Sequence, residues 1–439
     1  LCCICVVLLV SLLFLFTGCP TEGEETTNNS NTEDLPVEQD PIDPANPRSQ
    51  IDKKVDGGGQ KVVHEVWMGI DTNADPRCAV GYKLAASKKQ FFDNAVIFHS
   101  DLAWKDCGGT QEQNYCPKSG LHLHYTDETQ WLINPDDYNT YIKPLKDAGI
   151  RVLLGILPCS HGVTFGNVGS WPMEPLWSWQ ENTGEEYPLD EDAARALAQE
   201  WADACEQFGF DGIALDDEYG DLPAEVGVPA RGKYLVYPTH NGQSYGSGAA
   251  LSDAWKKGGE NVFKLCRYFK DLTKDTEHPN GKWVSIYEYN YLSRIPSSLT
   301  VDGQNYNVAD VVDASYPASY GTVALQSSIG SPKSNYGCLS IAFDAFAEVT
   351  TPPNMIKSRM NTLLKNGYGV VMYFALKERR FYSTKPFFGP TGTMPEDYLS
   401  RIAEVLYKDT VIYEGPDYLP FPVERNGSTQ GTGALYGHK

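Results

Sequence analysis

The sequence predicts an α/β fold, a single (β/α)8 TIM-type barrel with a disordered N-terminal tether, on three observations. From about residue 61, short apolar runs rich in Val, Ile and aromatic residues alternate with amphipathic stretches. The runs number eight, the strand count of a closed parallel barrel. No Gly-rich dinucleotide fingerprint follows the first run, as an open doubly wound sheet would more often show. That open sheet is the rival architecture.

The strand candidates are "VVHEVWMGI" (62–70), "NAVIFHS" (94–100), "IRVLLGIL" (150–157) and "DGIALD" (211–216), then "KWVSIYEY" (282–289), "ADVVDASY" (309–316), "GCLSIAF" (337–343) and "GVVMYF" (369–374). Gly, Asp, Asn or Pro bound them. Helical patterns lie between many of them: "NPDDYNTYIKPLKDAG", "DEDAARALAQEWADACEQFG", "LSDAWKKGGENVFKLCRYFKDL" and "PNMIKSRMNTLLKNG". The second begins with acids, which the positive end of a helix dipole favours. "KDAGI" and "KNGYG" place Gly just past a helix end, where a left-handed cap is needed.

Ahead of the barrel, "LCCICVVLLVSLLFLFTGC" is an apolar run of signal-peptide length. A transmembrane anchor is the competing reading, since ~20 apolar residues span a bilayer. The "FTGC" ending favours the signal and resembles a bacterial lipobox, with Phe16 where Leu is usual and Cys19 as the lipidated residue. Residues 20–60 are acidic, polar and Pro-rich, too poor in apolar residues to build a core, and are expected to be a disordered tether. The acidic run after Cys19 resembles the surface-export tethers of Bacteroidetes-type lipoproteins. The expected division is 1–19 signal, 20–60 tether, 61–415 barrel and 416–439 tail. The expected location is exported and lipid-anchored, on the outer membrane or surface of a Gram-negative cell.

A net charge of -21 argues against nucleic acid or anionic lipid as a partner. Any membrane contact is then through the lipid alone. Aromatic residues make up 12% of the chain, enough for sugar-stacking surfaces, although most aromatics are core. No CxxC pair occurs, so a zinc site is disfavoured. Cys107 and Cys116 flank a polar loop and are the local disulfide candidates. Cys159, Cys205, Cys266 and Cys338 lie in apolar or amphipathic segments, as buried thiols do.

Chemistry points to "GFDGIALDDEYG" (209–220), which ends the fourth strand candidate. Catalytic groups in a barrel sit at the C-terminal ends of strands. Side chains alternate along a strand, so Ala214, Asp216 and Glu218 share one face and Asp217 takes the other. Asp216 and Glu218 would point into the barrel mouth, one acid protonated beside an ionised neighbour. Two duller readings remain open: solvated or helix-capping acids, or a divalent metal site with His99, His122, His124 or His161 nearby.

"FGFDGIALDDEYG" resembles the DxxDxDxE signature of glycoside hydrolase family 18, in the form found in endo-β-N-acetylglucosaminidases of the endoglycosidase H type. The similarity continues through "FDNAVIFHSDL" (92–102), "YIKPLKDAGIRVLLGILPCSHGVTFGNV" (141–168), "DASYPASYGT" (313–322) and "KNGYGVVMYFALKERR" (365–380). It covers most of residues 61–410 in the same order. There are departures. Ala214 replaces the middle Asp of the signature, Pro317 falls where Asn is common, and Ala375 falls where the eighth strand often carries another Asn.

The resemblance implies a retaining glycosidase acting on the GlcNAc-β-1,4-GlcNAc core of N-glycans or glycoproteins, as a monomer without metal or organic cofactor. The substrate's own 2-acetamido oxygen would be the nucleophile. Glu218 would be the general acid and base, Asp216 would hold the acetamide N–H, and Tyr320, or else Tyr316, would steady the acetamide oxygen. Tyr287 and Tyr289 end the fifth strand and line the cleft or the core with equal weight. "SWPMEPLWSWQ" (170–180) offers Trp171, Trp177 and Trp179, to stack on sugar or to pin a loop. His161, Phe165 and Tyr373 complete the candidate substrate-binding set. Two alternatives remain: a chitinase, and a catalytically weak or non-hydrolytic glycan-binding lipoprotein, for which the three departures speak.

Overall fold

Apolar runs buried on both faces pair as parallel strands. The computed structural model describes residues 62–69, 75–104, 121–157, 191–217, 239–240, 243–244, 249–343, 353–377, 382 and 394–415. Eight strands in these segments form the central sheet: β1 (Val63–Gly69), β2 (Asn94–Trp104), β3 (Arg151–Ile156) and β4 (Gly212–Leu215), then β5 (Trp283–Glu288), β6 (Ala314–Pro317), β7 (Ser340–Ala342) and β8 (Val370–Phe374). Each pairs in parallel with its neighbours in chain order, save β6 with β7, and β8 returns to β1. Between β6 and β7 two isolated parallel bridges, Ser315 with Tyr336 and Tyr320 with Ser340, nearly close the ring. All eight strand candidates are therefore barrel strands. A doubly wound sheet, whose strand order reverses part-way, does not describe this chain.

Alternation splits every strand between two packed layers. On β1, Val63 and Trp67 join an inner cluster, while Val66 and Met68 join an outer one. On β4, Ala214 is inner and Ile213 and Leu215 are outer. Helices cover the outer layer. α1 (Glu191–Phe208) buries Leu197, Ala198, Trp201 and Cys205, a stripe of helical period. α2 (Ala249–Leu272) does the same with Val262, Phe263, Cys266 and Phe269. α3 (Pro353–Asn366) and α4 (Pro395–Tyr407) follow β7 and β8. Each fully buried large apolar side chain contributes about 1.5–3 kcal/mol, so these stripes hold the helices to the sheet.

The connections are less regular than a strict strand-helix alternation. After β5 comes a hairpin, Ser298–Val301 against Gln304–Asn307. Asp302 and Gly303 both take left-handed backbone there (φ 50° and 78°), the two-residue turn whose twist suits a hairpin. Between β6 and β7 the chain forms only the short 3-10 turn Lys333–Asn335 among the regular elements.

Three aspartates at the N-terminal rim explain how the strands keep register. Asp93, Asp211 and Asp313 precede β2, β4 and β6. Each accepts a backbone N–H from the preceding odd-numbered strand at 2.8 Å, from His64, Val152 and Val284 respectively. Asp211 also pairs with Lys146 at 2.9 Å, and Asp313 with the buried Lys270. Burial disfavours the Arg151 guanidinium, and Asp93 is the foremost charge sustaining it. The first Asp of the signature stretch, Asp211, is thus a strand clamp. Gly212 beside it lets β4 and β5 meet, since a Cβ there would collide with the Trp283 carbonyl.

Cys78, Cys205, Cys266 and Cys338 are buried free thiols. Burial pushes Cys205, Cys266 and Cys338 each up to about 12, so they stay protonated and inert. Cys107, Cys116 and Cys159 lie outside the described residues.

Candidate active site

The inward row of β4 runs Gly212, Ala214, Asp216 toward the C-terminal mouth. Asp216 is 6% exposed. Its N–H donates to the Ile156 carbonyl at 3.0 Å, continuing the ladder with β3. Its Oδ1 accepts the Asp217 N–H at 2.8 Å, which fixes the carboxylate plane. Asp217 is fully buried on the strand's other face, that of Ile213 and Leu215. Continued alternation past β4 puts the adjacent acids on opposite faces. Glu218 lies outside the described residues, as do His161, Phe165, Trp171, Trp177, Trp179 and Cys19.

Aromatic rings line the interior around this mouth. Tyr320 packs on Tyr287 at 6.1 Å between centroids and on Phe374 at 5.9 Å. Trp67 packs on Tyr287 at 6.2 Å and on Phe98 at 5.3 Å, and Phe98 meets Phe374 at 6.1 Å. Five strands or strand ends thus supply one continuous ring of rings. Tyr320 is half-buried and Tyr287 nearly closed off. Tyr289 stands past the end of β5 and is 37% exposed.

Two tyrosines of the expected set are placed differently. Tyr373 points outward from β8. Its hydroxyl meets His64 Nδ1 at 2.7 Å, and its ring packs on Phe91, Phe92 and Phe343. It is a core residue under the helices, because inward positions on β8 belong to Val370, Met372 and Phe374. Tyr316 faces inward but is fully buried, below the ring that Tyr320 and Tyr287 form. Of the two candidates for steadying an acetamide, Tyr320 is the more open.

Sequence reading missed Glu65. It lies on the inward face of β1 and is wholly buried. Asn94 Nδ2 and Ser285 Oγ donate to its Oε2 at 2.9 and 2.7 Å, and Trp67 Nε1 donates to Oε1 at 2.9 Å. Burial holds its carboxyl above the usual range, against the pull of Asn94, Ser285, Trp67 and, least, Tyr316. The signal was present: a lone Glu amid "VVHEVWMGI" sits where a parallel strand should be apolar on both faces.

Ala375, directly after β8, takes left-handed backbone (φ 59°) while its N–H donates to the Trp67 carbonyl at 3.0 Å. Among the described residues no group of three or more His, Cys, Asp or Glu side chains is placed to hold a metal ion.

A nearly closed parallel barrel with an inward carboxylate at the end of β4 and aromatic walls has the make-up of a glycosidase. Known proteins narrow this. The chain is 24% identical over 344 residues to an endo-beta-N-acetylglucosaminidase of Flavobacterium sp. (strain SK1022), covering 78% of this chain and 81% of the relative. It is 26% identical over 350 residues to endo-beta-N-acetylglucosaminidase F1 of Elizabethkingia meningoseptica, covering 79% and 78%. In fold it is similar to Bacteroides thetaiotamicron EndoBT-3987, solved with a Man5GlcNAc product, at 17% identity and a TM-score of 0.52 over 82% of this chain and 64% of that one. The same protein with a Man9GlcNAc2Asn substrate gives 17% and 0.52 over 83% and 70%. No model of a known protein family matches the chain.

Proposed function

We infer that the chain is an endo-β-N-acetylglucosaminidase of glycoside hydrolase family 18, cutting the GlcNAc-β-1,4-GlcNAc core of N-glycans. One observation carries this reading. Asp216 faces inward at the mouth of β4 and Asp217 outward, in a barrel similar over most of its length to proteins of that activity.

The chemistry is substrate-assisted. Glu218, two positions beyond Asp216, gives its proton to the glycosidic oxygen as that bond to the anomeric carbon breaks. The 2-acetamido carbonyl oxygen bonds to the anomeric carbon from the opposite face, forming an oxazolinium ion. Asp216 accepts the acetamide N–H and stabilises the positive charge, and Tyr320 donates to the acetamide oxygen. Glu218 then takes a proton from water, which opens the ring with net retention. No second protein carboxylate acts as nucleophile. Tyr287 and Phe374 flank Tyr320 and offer apolar faces to the sugar.

The enzyme acts as a monomer, exported and lipid-anchored at Cys19. The lipobox-like "FTGC" and the acidic tether composition support that location. A second reading, a glycan binder without turnover, draws on Ala214, Pro317 and Ala375, which stand where the family often has polar groups. A single assay decides. Incubation with a high-mannose glycoprotein should release glycan bearing one GlcNAc and leave one GlcNAc on the protein, by mass. Glu218→Gln should lower that rate by about 10²–10⁴-fold and still bind glycan. Binding without release by the parent chain would establish the second reading.

A further inference from the structure

We propose that His99 is a sugar-binding residue of the mouth: its imidazole hydrogen-bonds the 6-hydroxyl of the GlcNAc whose acetamide Asp216 holds. The identity of that sugar rests on the endoglycosidase reading above, whereas the aim of the ring into the mouth stands on the fold alone.

A break in the ladder turns His99 inward. β2 and β3 pair through Val96 with Leu153, both inner, and through Ile97 with Leu154, both outer. The next pair is Ser100 with Ile156, an outer residue. Phe98 and His99 therefore stand together against the single Gly155, as in a β-bulge. On a regular strand, neighbouring side chains point to opposite faces and their rings stay apart. Here the Phe98 and His99 rings meet at 4.9 Å between centroids, so His99 shares the inner side of Phe98. Gly155 makes the room, since a Cβ there would stand 2.9 Å from Phe98 Cδ2. The bulge is held from outside the ladder. Thr126 and Thr129 donate their hydroxyls to the His99 carbonyl, at 2.9 and 2.8 Å, and pin the backbone beneath the ring.

Register sets His99 at the height of Asp216. Ser100 pairs with Ile156, and the Ile156 carbonyl accepts the Asp216 N–H. Between β2 and Asp216 the inward residues at this level are small, Gly155 and its partner Ala214. Two strand spacings, roughly 10 Å, separate β2 from β4, a gap that one pyranose ring with its substituents bridges. His99 is 7% exposed and Asp216 6%, so both open to the mouth by the same narrow margin. His64 shows the contrast. It is fully enclosed in the outer layer between the Tyr373 and Tyr407 hydroxyls, as a structural histidine is. A sugar whose 2-acetamido group lies at Asp216 presents its opposite ring edge, C4 to C6, toward β2. In the N-glycan core the 4-oxygen of that GlcNAc is bonded to mannose, which leaves the 6-hydroxyl as the free group on that edge. Imidazole and hydroxyl can each donate or accept, so the pair needs no charge.

His99→Phe keeps a ring and removes the nitrogens. Calorimetry with a high-mannose glycan ending in one GlcNAc, and with its analogue lacking the 6-hydroxyl on that GlcNAc, completes a cycle. The parent should bind the full glycan about tenfold more tightly than the 6-deoxy analogue, and His99→Phe should bind both alike, at the weaker affinity. KM on intact glycan should rise in step, with kcat within about threefold of the parent. A folded His99→Phe protein that still prefers the full glycan as the parent does, or a parent that binds the two alike, overturns the proposal. If His99→Phe does not fold, the preference must shrink in a chain carrying Thr126→Val and Thr129→Val, and an undiminished preference overturns it equally. A preference shown by the parent and lost in His99→Phe, in a chain that cleaves no glycan, would uphold His99 and sink the endoglycosidase reading instead.

Discussion

Asp211 and Asp216 stand at opposite ends of β4, one paired into the sheet and the other proposed to serve a substrate. Asp211, at the base, is engaged by the Val152 N–H and the Lys146 ammonium. Asp216, at the mouth, accepts the Asp217 N–H and by alternation continues the inward row of Ala214. The base repeats its device at Asp93 and Asp313. Carboxylates at the base lock strand to strand, whereas the role proposed for Asp216 at the mouth is to hold a substrate. The residue type is the same; strand end and facing decide the role. Glu65 lies between the two levels and shares features of both, hydrogen-bonded like a clamp but on an inward row like Asp216.

This contrast is breakable at the base first. Asp313→Ala strips the partner from Lys270, whose side chain is only 3% exposed, and leaves the Val284 N–H without its acceptor. Breaking such a buried pair costs about 3–5 kcal/mol. Urea unfolding should show that loss, while the molecules still folded keep the parent rate. A loss below about 1 kcal/mol would mean the base acids do not clamp the strands.

At the mouth the pattern should invert. Asp216→Asn should lose about 10²–10³-fold in hydrolysis of intact glycan, about 2.7–4 kcal/mol of transition-state stabilisation, with little change in stability. Given a preformed sugar oxazoline, it should still transfer glycan to a GlcNAc acceptor, since the step that needs Asp216 most has been passed. Product masses from both substrates check this. Failure on both would remove Asp216 from the first step.

Asp217 sharpens the comparison, because it neighbours Asp216 but by alternation takes the outward face of Ile213 and Leu215. Asp217→Asn should hydrolyse within about threefold of the parent and lose about 1 kcal/mol of stability. Equal loss of activity in the folded Asp216 and Asp217 variants would overturn the division of faces. The smallest effect is expected at Ala375. Its left-handed backbone strains any residue with a Cβ, so Ala375→Gly should stabilise by up to about 1 kcal/mol. A destabilised Ala375→Gly would show that the Ala methyl, which is buried, contributes more packing than the turn costs.

Much of this protein was legible in the chain. Short runs with two apolar faces identified every barrel strand, because a parallel strand covered by helices must be apolar on both sides. Alternation in "ALDDE" separated Asp216 from Asp217, because the side-chain period of a strand is two and needs no tertiary partner. Spacing alone left other assignments undecided. Tyr373 and Phe374 are adjacent aromatics, and only the tilt and pairing of β8 show that Phe374 looks in and Tyr373 looks out. Tyr316 and Tyr320 differ in depth because the bridge to Ser340 lifts Tyr320 to the rim. Asp93, Asp211 and Asp313 are 118 and 102 residues apart in the chain and become one set only when the strands stand side by side. Glu65 is likewise a lone acid in the sequence. Its partners Asn94 and Ser285 come from distant segments, and a buried charge takes its meaning from the donors that tertiary packing brings to it.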